Sequence, residues 1–329
     1  MNALDTLQSV RGVIRAWPGM DRGITFESRD HSGSLRAGRI SSAGRVHLTS
    51  AGRDPHLPTL DGGNIVVHRF GRRAVEIQND RVRKHFLYGK AASVAYAIDA
   101  ITPAVRAAGM NIPQVMEATN EYVDIALVDG IEIGDKSCPT TAWEMLCEMW
   151  PGFASADANL PIHSGADEAK VLQSWVKKAR DYGTIDRIDE VEAQAEKITG
   201  GLREGSWPLV VAHRDLHEKQ VLWDGEQISL IDVDTAALSE ASLDIGNLRA
   251  HLELHHLRQA IDQDTFSARS GLIDELIHRM SIDESRLSLY LQSARLRIAC
   301  VHSFRPASQI WLPEWLDFTL TTDSAKTAI

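Results

Sequence analysis

Residues 208–236 read PLVVAHRDLHEKQVLWDGEQISLIDVDTA, and this stretch decides how the chain is read. Leu209-Val210-Val211-Ala212 is a short apolar run rich in β-branched residues, the signature of a buried strand. His213 to Gln220 form a polar loop. Val221-Leu222-Trp223 and Gln227 to Ile231 are two strands joined through Asp224-Gly225, a dipeptide that favours a tight hairpin turn. A strand rises about 3.3 Å per residue, so Gln220, just before the first strand, and Asp232, just after the second, fall at one end of the ribbon. Asp215 lies one loop away. The three side chains are expected to converge. Two carboxylates and an amide oxygen make a hard oxygen-donor set, suited to Mg²⁺ and not to Zn²⁺.

Upstream of this island the chain reads as strands. A first helix is expected from Leu7, Val10, Val13 and Ile14 on one face, ended by Trp17-Pro18. GITFES, SLRAGRI and RVHLTS follow as short strands, and residues 50–63 as a loop. GNIVVHRF, RAVEIQ and RVRKHF, with turns at Gly71 and Asn79-Asp80, predict an antiparallel meander. AASVAYAIDAI predicts a helix that Pro103 stops or kinks, and two more strands follow at IPQVMEAT and YVDIALVDG. Beyond residue 130 the pattern is helical. Ser164 with Asp167 predicts a capping box for a helix through Tyr182. Ile188, Val191, Ala195 and Ile198 predict another, closed by Gly200-Gly201, and most of residues 243–320 read as helix. The fold class is therefore α+β in two lobes, an antiparallel sheet lobe and a mainly helical lobe. Residues 1–60 are read as an N-terminal extension, 61–129 as the sheet lobe and 130–329 as the helical lobe, with a ligand cleft between the lobes.

Composition narrows the function. The 329 residues are 43% hydrophobic and 24% charged, as in globular proteins. Residues 1–89 hold 14 Lys/Arg against 8 Asp/Glu, and the rest hold 21 against 37. A basic first part suits an anion, and an acidic second part suits a neutral or cationic molecule. The net charge of −10 argues against nonspecific nucleic-acid binding, and no apolar run is long enough to span a membrane. Three cysteines without a CxxC pair, and no apolar block near the start, lead to the expectation of a cytoplasmic protein.

HRDLHEKQ followed by LIDVD resembles the catalytic loop and metal motif of the aminoglycoside phosphotransferase and choline kinase-like family. These are small-molecule kinases with a protein-kinase-like fold and the pattern H-x-D-x-x-x-x-N, then a strand-borne I-D. Gln220 stands where Asn is more usual, which resembles the variant of maltokinase-like members. The resemblance covers most of residues 61–329. It implies ATP and Mg²⁺ as cofactors and, as partner, a small molecule with an acceptor hydroxyl: a sugar, amino sugar, aminoglycoside or amino alcohol. By resemblance Asp215 is the base or orienting carboxylate, and Gln220 and Asp232 hold the metal. Lys84, on the third meander strand, holds the phosphates. The following helix carries no Glu, so Asp99 takes the place of the acid that positions Lys84. Gly71 marks the phosphate-covering turn, and the backbone around Ala126–Val128 holds the adenine. An alternative is a catalytically inactive relative that keeps the fold as a nucleotide-binding or regulatory protein. His213 is expected to be structural, Asp234 a solvated or turn residue with addition to the metal site as the alternative, and Asp244 a helix cap that, by resemblance, also braces the catalytic loop. His251 and His255 share a helix face, as zinc ligands can, but Glu253 is one position late for a zincin motif, so packed or surface histidines are expected.

Overall fold

A computed structural model describes residues 2–321; the last eight residues of the expected 130–329 lobe lie outside the described residues. The chain opens with α1 (Ala3–Ser9), whose capping box has Asn2 accepting from the Leu4 and Asp5 amides while Asp5 accepts from the Asn2 amide. The helix expected to reach Trp17 ends at Ser9, and Val13–Pro18 forms strand β1 instead. Gly12 is the cause. It sits at φ +71°, and a Cβ there would lie 2.3 Å from the Arg29 carbonyl oxygen, so the chain turns and runs back along its neighbour. With β2 (Ile24–Arg29), β3 (Leu35–Ile40) and β4 (Val46–Leu48), β1 makes a four-stranded antiparallel sheet in chain order. Its inner residues Ala16, Ile24, Phe26 and Ile40 pack with Leu7 of α1 and with Phe304 from near the C-terminal end.

A second antiparallel sheet follows. It contains β5 (Asn64–Arg69), β6 (Arg73–Ile77), β7 (Arg81–Phe86), β8 (Val115–Ala118) and β9 (Tyr122–Ala126), in the order β5-β6-β7-β9-β8. The meander is as expected, and β7 lies centrally, with Lys84 opposite both Val75 and Val123. Helix α2 (Ala91–Ala107) links β7 to β8 and continues past Pro103. The proline deprives the Asp99 carbonyl of its helical donor, and Asp99 is exposed, so water can satisfy it.

The second lobe begins with β10 (Ile131–Glu132), then α3 (Thr140–Ala154), α4 (Gly165–Tyr182) and α5 (Ile188–Arg203). The Ser164–Asp167 capping box is present as expected. Helix α5 does not stop at Gly200-Gly201 but runs to Arg203. A Cβ on Gly201 would lie 2.9 Å from the Leu289 side chain, so this glycine allows helices to approach closely and does not end one. Then come β11 (Leu209–Ala212), the hairpin β12 (Val221–Trp223) and β13 (Ile228–Leu230), and β14 (Ala237–Glu240), which pairs with β11. Helices α6 (Ala241–Leu257), α7 (Gln263–Arg279), α8 (Glu284–His302) and α9 (Leu312–Thr321) complete the described chain. The largest core runs through both lobes: Phe86, Ile98 and Val123 from the sheet side join Trp143, Leu216, Leu230 and Ile245 from the helical side. This apolar continuity fixes the cleft edge where the charged residues meet.

Candidate active site

Strand β11 delivers the polar loop, and helix α6 pins it. The amides of His213 and Arg214 donate to the two carboxylate oxygens of Asp244, at 2.7 and 2.8 Å. Asn247 Nδ2 donates to the Arg214 carbonyl at 3.1 Å. Asp244 was expected to cap its helix, but Glu240 holds the cap position; Asp244 instead braces the loop, as the resemblance implied. Asp244 lies in the first turn and reaches sideways to the loop; burial pushes its pKa up against those two donors. His213 is fully buried and structural, as expected. Its Nδ1 accepts from the Asp215 amide at 3.3 Å, so its proton is on Nε2, which donates to the Ile231 carbonyl at 2.8 Å. That bond clamps the loop to the end of the hairpin. Arg214 is at φ +72°, a left-handed conformation that turns the chain before Asp215.

Lys84 crosses the cleft. Its Nζ donates to Asp232 Oδ1 at 2.6 Å and to Asp234 Oδ1 at 2.8 Å. The lysine is only 5% exposed. Burial alone lowers its pKa, but the two carboxylates outweigh burial and raise it. Asp232 is held below the usual carboxylate range: burial opposes this, and Lys84, then Arg73, overcome it. Asp232 sits at φ +54°, a kink that starts the short turn Val233–Thr235 and brings Asp234 alongside. Asp234, expected to serve a turn, is thus the second partner of the lysine. Asp99, expected in that role, does not pair with Lys84. Helix α2 turns Ile98 inward, to an apolar crevice shared with Ile112, Ile125 and Val233 beside the ion pair, and leaves Asp99 exposed.

Asp215 lies at the other side of the loop, with Arg297 Nη1 3.7 Å from its Oδ1. Enclosure by the protein raises its pKa, yet Arg297 and the imidazoles of His217, His251 and His213 outweigh this, so the carboxylate form is favoured. Gln220 is buried, and its carbonyl accepts from the Ile231 amide at 2.9 Å, beside Asp232. The hairpin thereby sets Gln220 next to Ile231, as its strand spacing predicted. The Gln220 amide lies 3.1 Å from His217 Nε2. The Lys219 amide donates to His217 Nδ1 at 3.2 Å, which fixes the ring in the loop. At the far side, Gly71 turns β5 into β6 at φ +60°, its amide donating to Asp54 Oδ2 at 2.8 Å. The Ala126 amide donates to the Gln114 carbonyl at 2.8 Å, and Val128 follows the end of β9. Sequence reasoning missed Arg297, whose position beside Asp215 depends on the packing of α8 against α6 and has no local signal.

No protein-family model matches the chain, and no curated protein matches it in sequence. Solved structures do. An aminoglycoside phosphotransferase in complex with GDP and kanamycin is 16% identical, with a TM-score of 0.55 over 83% of this chain and 97% of that one. A choline/ethanolamine kinase family protein from Mesorhizobium loti is 13% identical, with a TM-score of 0.51 over 82% and 90%. An aminoglycoside phosphotransferase from Streptomyces rimosus is 15% identical, with a TM-score of 0.50 over 70% and 91%. The chain has the bilobal, protein-kinase-like fold of these small-molecule kinases, the fold class that the sequence resemblance implied. Among the described residues, no helix is long and apolar enough to cross a membrane, and the three cysteines are free and buried.

Proposed function

We propose that this protein is an ATP-dependent, Mg²⁺-requiring kinase that phosphorylates a hydroxyl of a small molecule. The observation that carries the reading is the meeting of Lys84, from the sheet lobe, with Asp232 and Asp234, from the end of the hairpin, at the cleft edge. Phosphoryl transfer asks a protein chiefly for alignment and for neutralisation of charge. Lys84 is the group for the nucleotide phosphates, and it would exchange one carboxylate for them. Gln220 and Asp232 would hold Mg²⁺, and the donor chemistry fits, since an amide and a carboxylate both offer hard oxygen donors. A cation bound there would supply neutralisation of the phosphate oxygens. The turn at Gly71 would cover the phosphates, and the backbone at Ala126 and Val128 would border the base. Asp215, held as a carboxylate by Arg297, accepts the proton of the acceptor hydroxyl or orients it.

Neighbours of the same fold have been solved with GDP and kanamycin, or bear the name of choline/ethanolamine kinases. Residues 130–210 of this chain hold 14 Asp/Glu against 8 Lys/Arg, which favours a cationic or polyhydroxylated acceptor: an amino sugar, an aminoglycoside, a sugar or an amino alcohol. The test is ADP release from Mg-ATP over a panel of such acceptors, run beside Asp215→Asn. Turnover on an acceptor that the variant loses supports the reading. Tight ATP binding with no turnover on any acceptor would move the protein to the inactive, nucleotide-binding class.

A further inference from the structure

The loop that carries Asp215 has a second face. Glu218, in the short turn before β12, is 2% exposed and points among three imidazoles. His255 Nε2 meets its Oε1 at 2.8 Å. Its other oxygen, Oε2, is buried without a hydrogen-bond partner, 3.7 Å from His251 Nδ1 and 4.0 Å from His217 Nδ1. One ligand atom from each of His217, Glu218 and His251 lies within 4.8 Å of the others. A buried carboxylate oxygen with no donor carries a free-energy cost that a cation would remove. The space for this arrangement comes from Gly134, where a Cβ would lie 2.3 Å from Glu218 Cγ and 3.2 Å from His255 Cε1.

We propose that His217, Glu218 and His251 form a binding site for a divalent transition-metal ion of the Zn²⁺ class, distinct from the Mg²⁺ position on Gln220 and Asp232. Two imidazole nitrogens and one carboxylate oxygen suit zinc and do not suit magnesium. The outer partners that fix metal ligands are already in place. His255 holds the far oxygen of Glu218, and Gln220 faces the far nitrogen of His217. Burial lowers the pKa of both ligand imidazoles, that of His251 to about 3, which keeps them in the neutral form that binds metal. The rings of His217 and His251 stack at 4.5 Å with their planes 15° apart, so their lone pairs run side by side. Binding requires one ring to turn about its Cβ–Cγ bond and His217 to release the Lys219 amide. His251, with no bond of its own to break and 19% of its side chain exposed, is the ring free to turn.

The experiment is calorimetric titration of the chelator-stripped full chain with ZnCl₂, in excess Mg²⁺ and without nucleotide. One equivalent is expected to bind, and His251→Gln and Glu218→Gln are each expected to weaken it by about tenfold or more. Thermal melts in EDTA check that each variant folds. Should Glu218→Gln fail to fold, the visible spectrum of the Co²⁺-loaded wild type beside His251→Gln decides: intense four-coordinate bands lost in the variant support the site. Absence of a zinc equivalent in the wild type, or undiminished binding in His251→Gln, overturns the proposal. The measurement uses no phosphotransfer, so a failure of the kinase reading would leave its result standing.

Discussion

Two polar clusters flank the β12–β13 ribbon, and they solve the problem of buried charge in opposite ways. At one end Lys84 meets Asp232 and Asp234, partners 148 and 150 residues away in sequence, and every group in the knot is paired. Under the neighbouring loop, Glu218 gathers His217, His251 and His255, yet one of its oxygens is left without a donor. The first cluster ties one lobe to the other, and in the proposed reading nucleotide binding would loosen a bond that already exists. The second lies within one lobe, and a cation there need loosen only the stacking of the rings and the bond from the Lys219 amide to His217. The contrast separates two properties that burial alone would merge: a satisfied charge network holds geometry, and an unsatisfied one invites a ligand.

The largest effect that would break this contrast is at the acceptor side of the first cluster. Asp215→Asn keeps the size and the loop but removes the carboxylate, and phosphotransfer is expected to fall about 10²-fold or more, with nucleotide affinity changed little. ADP release and calorimetry on the same preparation check the two halves; a variant that loses ATP binding in parallel would place Asp215 in the nucleotide site instead. Next comes the knot itself. Lys84→Met leaves two carboxylates facing each other without their cation. Full burial of such a pair would make the loss about 3–5 kcal/mol, and the half-exposed Asp232 side chain reduces the expectation to about 2 kcal/mol. Added Mg²⁺ is expected to restore part of it, because a divalent cation takes the place of the ammonium. Urea unfolding with and without Mg²⁺ measures both numbers, and equal stability of variant and wild type would show that the lobes do not depend on this tie.

The parts of the molecule legible in the sequence were those set by a few consecutive residues. The Asp224-Gly225 turn fixed the register of β12 and β13, and with it the placement of Gln220 beside Ile231 and Asp232. The meander and the Ser164–Asp167 box were local in the same sense. Helix α3 was not singled out within the helical region; Pro139 stands at its N-cap and Pro151 within its last turns. Asp234 and Arg297 could not be assigned from spacing, since each acts on a residue brought to it by packing; the brace that Asp244 makes was implied by resemblance alone. Glu218 had no signal either: three histidines on two elements close on it only after α6 docks beneath the loop.

The second cluster has its own signature in acid. The His251 pKa is lowered to about 3, by burial first and by His217 next, against Glu218 and Asp215, with Arg297 adding to the lowering. The unfolded chain takes up a proton near the ordinary value of about 6.5, and the folded chain does not until far lower pH. The unfolded state therefore binds more protons as pH falls below 6.5, and stability is lost on that side at up to about 1.4 kcal/mol per pH unit. His251→Gln removes this linkage, and its loss of stability between pH 7 and 5 is expected to be smaller than that of the wild type by about 1–2 kcal/mol. Identical acid limbs in urea melts would mean that His251 is protonated in the fold and that the cluster is no metal site in waiting.

The smallest effect is expected where this chain departs from the pattern that the resemblance implies. In the pattern that the family implies, an acid on the helix after the third strand positions the lysine, and Asp99 was the acidic residue available there. A helix presents successive residues about 100° apart, so Ile98 and Asp99 cannot both face the cleft. The crevice beside Lys84 is apolar, burial of Ile98 is favourable, and a shorter acid gains nothing by displacing it. Asp234 supplies the carboxylate from the opposite lobe, at 2.8 Å. Asp99→Ala is expected to change stability by less than about 0.5 kcal/mol and turnover by less than about twofold. A loss comparable to that of Lys84→Met would mean that α2 rotates when nucleotide binds, exchanging Asp234 for Asp99 as the partner of the lysine.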